Sequence, residues 1–484
     1  MMARRPRRTP HLRTAEEISR TAAGPRPLPD LAPTPARRSP SSVQATTASG
    51  LTVVSVRRPS SPMVELRLRI PFGGKTREHA ARAELLAETI LLGTSRRDRE
   101  AVDAELAMVG GHLSTHVTPQ RLMLSGSVLA PGLGVLLDIV ADTVTGAAYR
   151  SRDIARERDR LIEHLTIAAA QPAAIAREYL QRRRFGEHPA AWEMPNVDLV
   201  AACTAASVRG LHRRSVLARG STLILVGDLR PRHALDAAAQ AFDGWTAGAT
   251  ATPLSPPPPV AGGAVTAYHR AGAVQSQTRL TTPGVLRTDP GYAAAQLANV
   301  VFGGYFSSRL VENLREDKGF TYHAHSSIEF WPGLAAVTVG YDTAPDVAAA
   351  ALVETRYELG RIAVGSPTDA EVDAARNYAI GARLDAGLVV RVRPGRLLAR
   401  EPSATAAAGD HRRCRAGRRA ALRAGDHDGN RGRGPRRDRG GPGPPRRRGT
   451  RRAVTAALVT FKRMRRTAPP AEPSLASLPG LKRV

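Results

Sequence analysis

Glu84 and Glu88 stand four residues apart in the run A-E-L-L-A-E-T-I-L-L-G-T, a spacing that puts both carboxylates on one face of a helix. Two side chains placed in this way can reach a single cation. Between them Ala87 offers only a methyl group, so a water bound to such a cation would lack a neighbouring proton acceptor. A second set is Arg315 and Tyr322, seven apart in L-R-E-D-K-G-F-T-Y. A guanidinium and a phenol both donate hydrogen bonds, and in a water-poor site they can hold a developing oxyanion. Taken alone the pair also has plainer readings: an Arg at a helix end caps carbonyls, and a Tyr in a strand packs.

Other candidates carry less. Gly73-Gly74-Lys75-Thr76 looks like the end of a phosphate loop, but residue 69 is Arg where that loop needs Gly, so the segment reads as a turn. His112 and His116, and likewise His323 and His325, fall on one face of their expected strands, with no carboxylate or Cys at ligand spacing. They read as sheet-surface histidines. There is no G-x-S-x-G elbow for a serine hydrolase.

The elements that must position these groups follow from periodicity and breakers. Strands are expected at Leu51–Arg57 and Met63–Ile70, with a turn at Pro59 to Pro62 between them. Helices follow at 79–92, stopping at Gly93, and at 98–109, ending at Gly110-Gly111. Strands His112–Thr118 and Leu122–Val128 and an apolar helix at 132–147 come next. The same order recurs after residue 264: strands Val265–Arg270 and Gln277–Thr282, helices at 290–302 and 307–316, strands Phe320–Ser327 and Ala335–Tyr341, and a helix at 345–363. Gly93 aligns with Gly303 and Gly111 with Gly319. That agreement over several elements indicates a duplicated unit, joined by the linker 246–263 with its stiff Pro256–Pro259 run.

The first copy continues through helices 151–168 and 173–184 to the strand Ser221–Val226 and a helix near 232–242. The second copy keeps the first of these helices, with Thr368 and Glu371 as a capping box, and then loses the pattern past Ala382. Where a strand is due, near residue 436, the chain reads R-G-R-G-P-R-R-D-R-G-G. Residues 383–484 are either a frameshifted stretch or a natural disordered basic tail. If they are frameshifted, the second domain lacks a strand and is left with an open sheet edge.

The net charge of +28 would suggest nucleic acid until it is located. Residues 1–40 hold nine Arg and three acids, and residues 385–484 hold 26 Lys and Arg and seven acids, so the part between is close to neutral. Phe461 is the only aromatic of the last hundred residues. Without rings to stack on bases, the two ends read as solvated tails and not as a specific nucleic-acid surface. Two cysteines exclude a disulfide framework and fit a reducing compartment. No run reaches the ~20 apolar residues of a membrane span. The expectation is a soluble cytoplasmic protein.

From Pro71-Phe72-Gly73-Gly74 through Leu92-Gly93-Thr94 the sequence resembles the pitrilysin/insulinase family of zinc peptidases, in its shorter, mitochondrial-processing-peptidase-like branch. The resemblance covers about residues 45–382. In register with Gly93-Thr94, it places the first His of the family's H-x-x-E-H motif at Glu84, its catalytic Glu at Ala87 and its second His at Glu88. The third ligand of the family, a Glu closing E-R-x-x-x-x-x-E, falls on His164 in Glu157-Arg158-Asp159-Arg160-Leu161-Ile162-Glu163-His164. All four positions are substituted. The residues then form either an acid–His cluster, with His164 offsetting the two carboxylates, or a non-catalytic site for a harder metal. The resemblance further implies that Arg315 and Tyr322, preceded by Gly303-Gly304-Tyr305-Phe306-Ser307-Ser308-Arg309-Leu310, bind a substrate carbonyl across a cleft.

Duplication and resemblance together set the expected fold: α+β (α/β), two homologous domains, each a mostly antiparallel sheet covered by helices, the second truncated. The expected layout is a tail at 1–42, a peptidase-like domain at 43–245 with a degenerate metal motif, the linker at 246–263, an incomplete peptidase-like domain at 264–382 with the Arg/Tyr pair, and the tail at 383–484. The expected role is that of a non-catalytic, substrate-binding subunit of a heterodimeric zinc metallopeptidase. Such a chain binds no cofactor itself; its partner, a metal-bearing paralogue, carries the zinc, and peptides are the substrates. Two other readings stay open: a peptidase-derived binding or scaffold protein, and a stand-alone metallopeptidase with an atypical metal site.

Overall fold

The computed structural model describes residues 40–245 and 254–385, with a two-residue hairpin of Val392–Arg393 and Arg396–Leu397. The basic ends and residues 246–253 of the linker lie outside the described residues, and with them the question of the frameshift. A described strand precedes the expected one at Leu51. Ser42–Thr46 (β1) pairs antiparallel with Thr52–Arg57 (β2), across a turn closed by Thr47 and by Gly50 at φ 87°.

Met63–Pro71 (β3) shows how the first half builds its core. Val64, Leu66, Leu68 and Ile70 alternate inward, and each is fully buried. Against that face pack Leu85, Leu86 and Ile90 of the helical stretch that begins with Arg77–Thr89 (α1). Arg99–Met108 (α2), His112–Thr118 (β4), Arg121–Leu129 (β5) and Leu133–Gly146 (α3) come next, within a few residues of their expected bounds. Two long helices, Ser151–Ala170 (α4) and Pro172–Phe185 (α5), precede two that periodicity did not reveal, Val197–Ala201 (α6) and Ala205–Ser215 (α7). Both are short; they are started by Asn196 and a Thr204/Ser207 capping box and bury Val200, Val208 and Leu211 in the core.

Thr222–Gly227 (β6) closes this sheet from within. The strand order is β1-β2-β6-β3-β5-β4, with β6 parallel to β2 and antiparallel to β3. The strands β2 and β3 are neighbours in sequence but never touch in the ladder, because β6 separates them. Its last residue must be glycine: at Gly227 a Cβ would lie 2.1 Å from the Met63 carbonyl oxygen, at φ 154°. Pro231–Ala241 (α8) then returns over β2.

Among the described residues, the second half repeats only the β3-β5-β4 part. Ser276–Pro283 (β7), Ala324–Trp331 (β8) and Leu334–Thr343 (β9) form a sheet in the order β7-β9-β8, antiparallel throughout. The pair His112–Ser127 becomes His325–Gly340, both shifted by 213 residues. Between β7 and β8 lie Tyr292–Asn299 (α9), a π-helical turn at Val300–Gly304, and Arg309–Val311 (α10), which runs into a second π-helical turn at Glu312–Asp317. Ala348–Val364 (α11) and Asp369–Asp385 (α12) follow; α12 starts at the expected capping box, with the Thr368 amide and hydroxyl both donating to Glu371. The core here is smaller: Phe302, Leu310, Leu314, Val339 and Tyr341.

Two expectations fail in this half. Val265–Arg270 is not a strand but an exposed extended segment. Its counterpart β2 is held in the first sheet by β1 and β6, and among the described residues the second half supplies no strand like β6 for the segment to pair with. The expected strand from Phe320 begins only at Ala324, which leaves Tyr322 in the preceding loop.

The halves are joined through α5. Its Arg184 side chain is 1% exposed and lies on one face of the second sheet. There it donates to the Thr281 and Thr338 hydroxyls and to Glu329 at 2.7 Å, while stacking over Trp331. The Gln181 carbonyl oxygen takes two of its remaining N–H groups. Burial pulls the Arg184 pKa down, partly countered by Glu329. Arg184→Met should destabilise the chain by about 3 kcal/mol, because it strands a carboxylate and an amide in a desolvated place. A denaturant midpoint unchanged from the parent chain would show that the cluster contributes nothing net.

Candidate functional site

Helix α1 is started by Thr76, whose hydroxyl accepts from the His79 amide, so the Gly73–Thr76 segment is a turn and a cap. About two turns further, Glu84 reaches a small cavity lined also by His79, Val117, Trp192 and Glu193. No hydrogen-bond or ion-pair partner for its carboxyl is found among the described residues. Burial, with a smaller push from the Glu88 carboxylate, raises the Glu84 pKa to about 7. His79 donates through Nε2 to the Phe72 carbonyl at 2.9 Å, and burial lowers its pKa, so it is a neutral ring near physiological pH.

Ala87 is buried, and its carbonyl takes the Thr115 hydroxyl of β4 at 2.6 Å. Glu88 is already occupied: Arg160 of α4 donates to it at 2.7 Å and to the buried Glu157 at 2.6 Å. One guanidinium therefore ties α1 to α4 and is shared between two carboxylates. His164 is exposed on α4 and makes no ion pair with either carboxylate. The acid–His cluster is thus replaced by an acid–Arg cluster: Arg160 lies one turn before His164, and its longer side chain spans the gap.

The donor set does not fit a zinc ion. Glu88 already shares an oxygen with the Arg160 cation, Glu84 carries its charge only in part at neutral pH, and Ala87 has no proton acceptor. No group of three or more His, Cys, Asp or Glu placed to hold a metal is found among the described residues.

Arg315 and Tyr322 are brought together. Leu314, fully buried, anchors the second π-helical turn and leaves Arg315 at the surface. Its guanidinium carbon sits 4.0 Å from the Phe306 ring centroid and 5.9 Å from that of Tyr322, and it pairs with Glu316 at 3.1 Å. Thr321 pins the loop by donating to the Asp342 carbonyl at 2.7 Å, and Tyr322 beyond it is 91% exposed. The sequence reading missed Phe306, although it stands in G-G-Y-F-S-S-R-L, and an aromatic near a surface Arg was the available signal. It also missed Arg160, although its spacing of three from Glu157 was legible. His112 and His116 are exposed on β4, while His323 and His325 stack with ring centroids 5.3 Å apart.

This pair of α+β halves is a fold shared with solved structures. One is a peptidase M16 inactive domain from Pseudomonas fluorescens (TM-score 0.65, 22% identity, covering 71% of this chain and 84% of that one). Another is a protease from Helicobacter pylori (TM-score 0.65, 17% identity, 72% and 86%). Two sequence profiles match in succession, Insulinase (Peptidase family M16) over residues 52–195 and Peptidase M16 inactive domain over residues 202–378. The chain is a relative within the insulinase family, peptidase family M16. It is 24% identical to an uncharacterized zinc protease of Streptomyces coelicolor, over 69% of this chain and 74% of that protein, and 22% identical to one of Mycobacterium leprae, over 70% and 78%. A shorter match, 26% identical over 22% of this chain and 20% of the other, is to a probable mitochondrial-processing peptidase subunit beta of Arabidopsis thaliana. No described helix is long and apolar enough to cross a membrane.

The raised Glu84 pKa sets a pH dependence. The unfolded chain releases this proton near pH 4.5, the folded one near 7, so the folded state binds more protons in between and stability falls as pH rises through that window. Glu84→Gln should remove about 2–3 kcal/mol of that fall and be the more stable protein at pH 8. Melting curves with the same pH slope for both proteins would show that Glu84 titrates normally.

Proposed function

We propose that this chain is the non-catalytic, substrate-binding subunit of a heterodimeric zinc metallopeptidase that processes or degrades peptides. The observation that carries the reading is the contrast between two sites. The metal-motif positions hold a protonatable acid, a methyl group and a carboxylate already paired with Arg160. Arg315 and Tyr322, by contrast, are close together, Tyr322 exposed and Arg315 half-buried over Phe306 beside Glu316. A guanidinium and a phenol in open water contribute little to an oxyanion, since their hydrogen bonds gain strength only where water is excluded. A second subunit closing over them supplies that exclusion, and in this reading it also brings the metal that the chain's own donor set does not fit. The substrate is held as an extended peptide, with one carbonyl oxygen accepting from Arg315 and Tyr322.

The chain should be tested alone and after mixing with an H-x-x-E-H-bearing relative from the same organism. Chelator-sensitive peptide hydrolysis is expected only in the mixture, and Arg315→Ala should lower kcat by roughly 10²-fold while leaving complex formation intact. Hydrolysis by the isolated chain, or a mixture indifferent to Arg315, would overturn the assignment.

A further inference from the structure

The loop between α5 and α6 builds a cavity that neither site above uses. A single helical turn at Pro189–Ala191, started by His188, ends at Trp192. With Met194, Ala191 and Ala174 of α5, the Trp192 ring forms the apolar part of a cavity of about 170 Å³. A space of ~150 Å³ holds one six-membered aromatic ring.

The charged groups around this cavity are satisfied except at one corner. Both oxygens of Glu193 are taken, by Arg177 and by the Gln181 amide. Arg182 pairs with Glu178, one turn before it on α5. Arg77 differs. Its guanidinium carbon lies 5.0 Å from the Trp192 ring centroid, and its carboxylate partner, Glu187, is 79% exposed and does not line the cavity. A surface pair of that kind contributes little and gives way to a better-placed carboxylate. Among the described residues, three arginines and two glutamates line the cavity, an excess of one positive charge. Trp192 adds a second unanswered group: its Nε1–H is buried and has no hydrogen-bond partner among the described residues.

We propose that this cavity binds an aromatic carboxylate, either a small free acid or the C-terminal residue of a peptide. The ring packs against Trp192 and the Met194 sulfur. The carboxylate meets Arg77, exchanging the exposed Glu187 for a charge-assisted pair beside an apolar wall. An acceptor oxygen of the ligand takes the Trp192 N–H, which burial leaves without water. The excess positive charge disfavours an amine, and an acid without a ring forgoes the aromatic contacts. Trp192 and Glu193 also line the small cavity of Glu84, so the ligand lies next to the metal-motif positions without using them.

The test is calorimetric titration of the full chain with 3-phenylpropanoate, its primary amide and N-acetyl-phenylalanine. Saturable binding of the acid is expected, with the amide at least ~tenfold weaker. Arg77→Gln should weaken the acid roughly tenfold and leave the amide unchanged. Trp192→Phe, which keeps a ring and drops the N–H, should weaken both about fivefold. Glu187→Gln should strengthen acid binding, because Arg77 loses its competing carboxylate; a merely structural role for this pair predicts no such gain. Tighter binding of N-acetyl-phenylalanine than of 3-phenylpropanoate assigns a peptide C-terminus, and the reverse order assigns a free acid. Acid and amide binding equally, acid binding that Glu187→Gln fails to strengthen, or no saturation by either acid up to about 10 mM would overturn the proposal. All of these readouts are taken on the chain alone and without hydrolysis, so the peptidase-subunit reading stands or falls separately.

Discussion

The ion pairs of Arg160 with Glu88 and Glu157 decide what the cleft of the first half can be. Three polar side chains from two packed helices meet there, and only one is a cation. Glu157 is buried, so removing its charge from water costs several kcal/mol unless an opposite charge is held against it. Arg160 does this and bridges to α1 in the same stroke. A cross-helix tie of this kind puts a cation against one oxygen of each carboxylate, where a metal ion would meet its repulsion. Glu84, one turn away and without such a partner, responds in the only other way open to a half-buried acid: its pKa rises.

The helix–strand order was legible because periodicity and glycine punctuation are local. Strands β4 and β5, helices α1 to α5 and the capping box at Thr368 could be read from neighbouring residues alone. What could not be read was anything set by a distant strand. The sequence runs Val265–Arg270 and Thr52–Arg57 look alike, yet only the second is a strand, because β6 comes from far along the chain to pair with it. Tyr322 was misplaced for a related reason: its β-rich surroundings suggested a strand, but β8 begins where β9 can pair with it.

Of the candidate site, the positions were legible and their electrostatics were not. Spacing placed Glu84 and Glu88 on one helix face, and register with Gly93-Thr94 pointed to the helix at Glu157–His164. Which residue of that helix answers the carboxylates depends on its rotation. Glu157 and Leu161 turn inward, Arg160 reaches across, and His164 is left in solvent. A sequence period gives the face to within a residue or so, and here that residue separates an imidazole that could bind metal from a guanidinium that cannot.

Each half therefore lacks something different, and the two deficits are physically independent. The first half has a complete sheet and a well-filled core but a cleft whose charges are settled internally. The second half presents an Arg/Tyr/Phe cluster beside a sheet of three described strands. A rigid first half is what allows the second to stay ordered: Arg184 projects from the end of α5 and braces all three strands from one face, doing for the small sheet part of what an added strand would do along its edge. That brace is polar and directional, so it fixes the sheet's position without contributing much apolar burial. Hence the three described strands can be ordered over a small core, which an unbraced sheet of that size would not sustain.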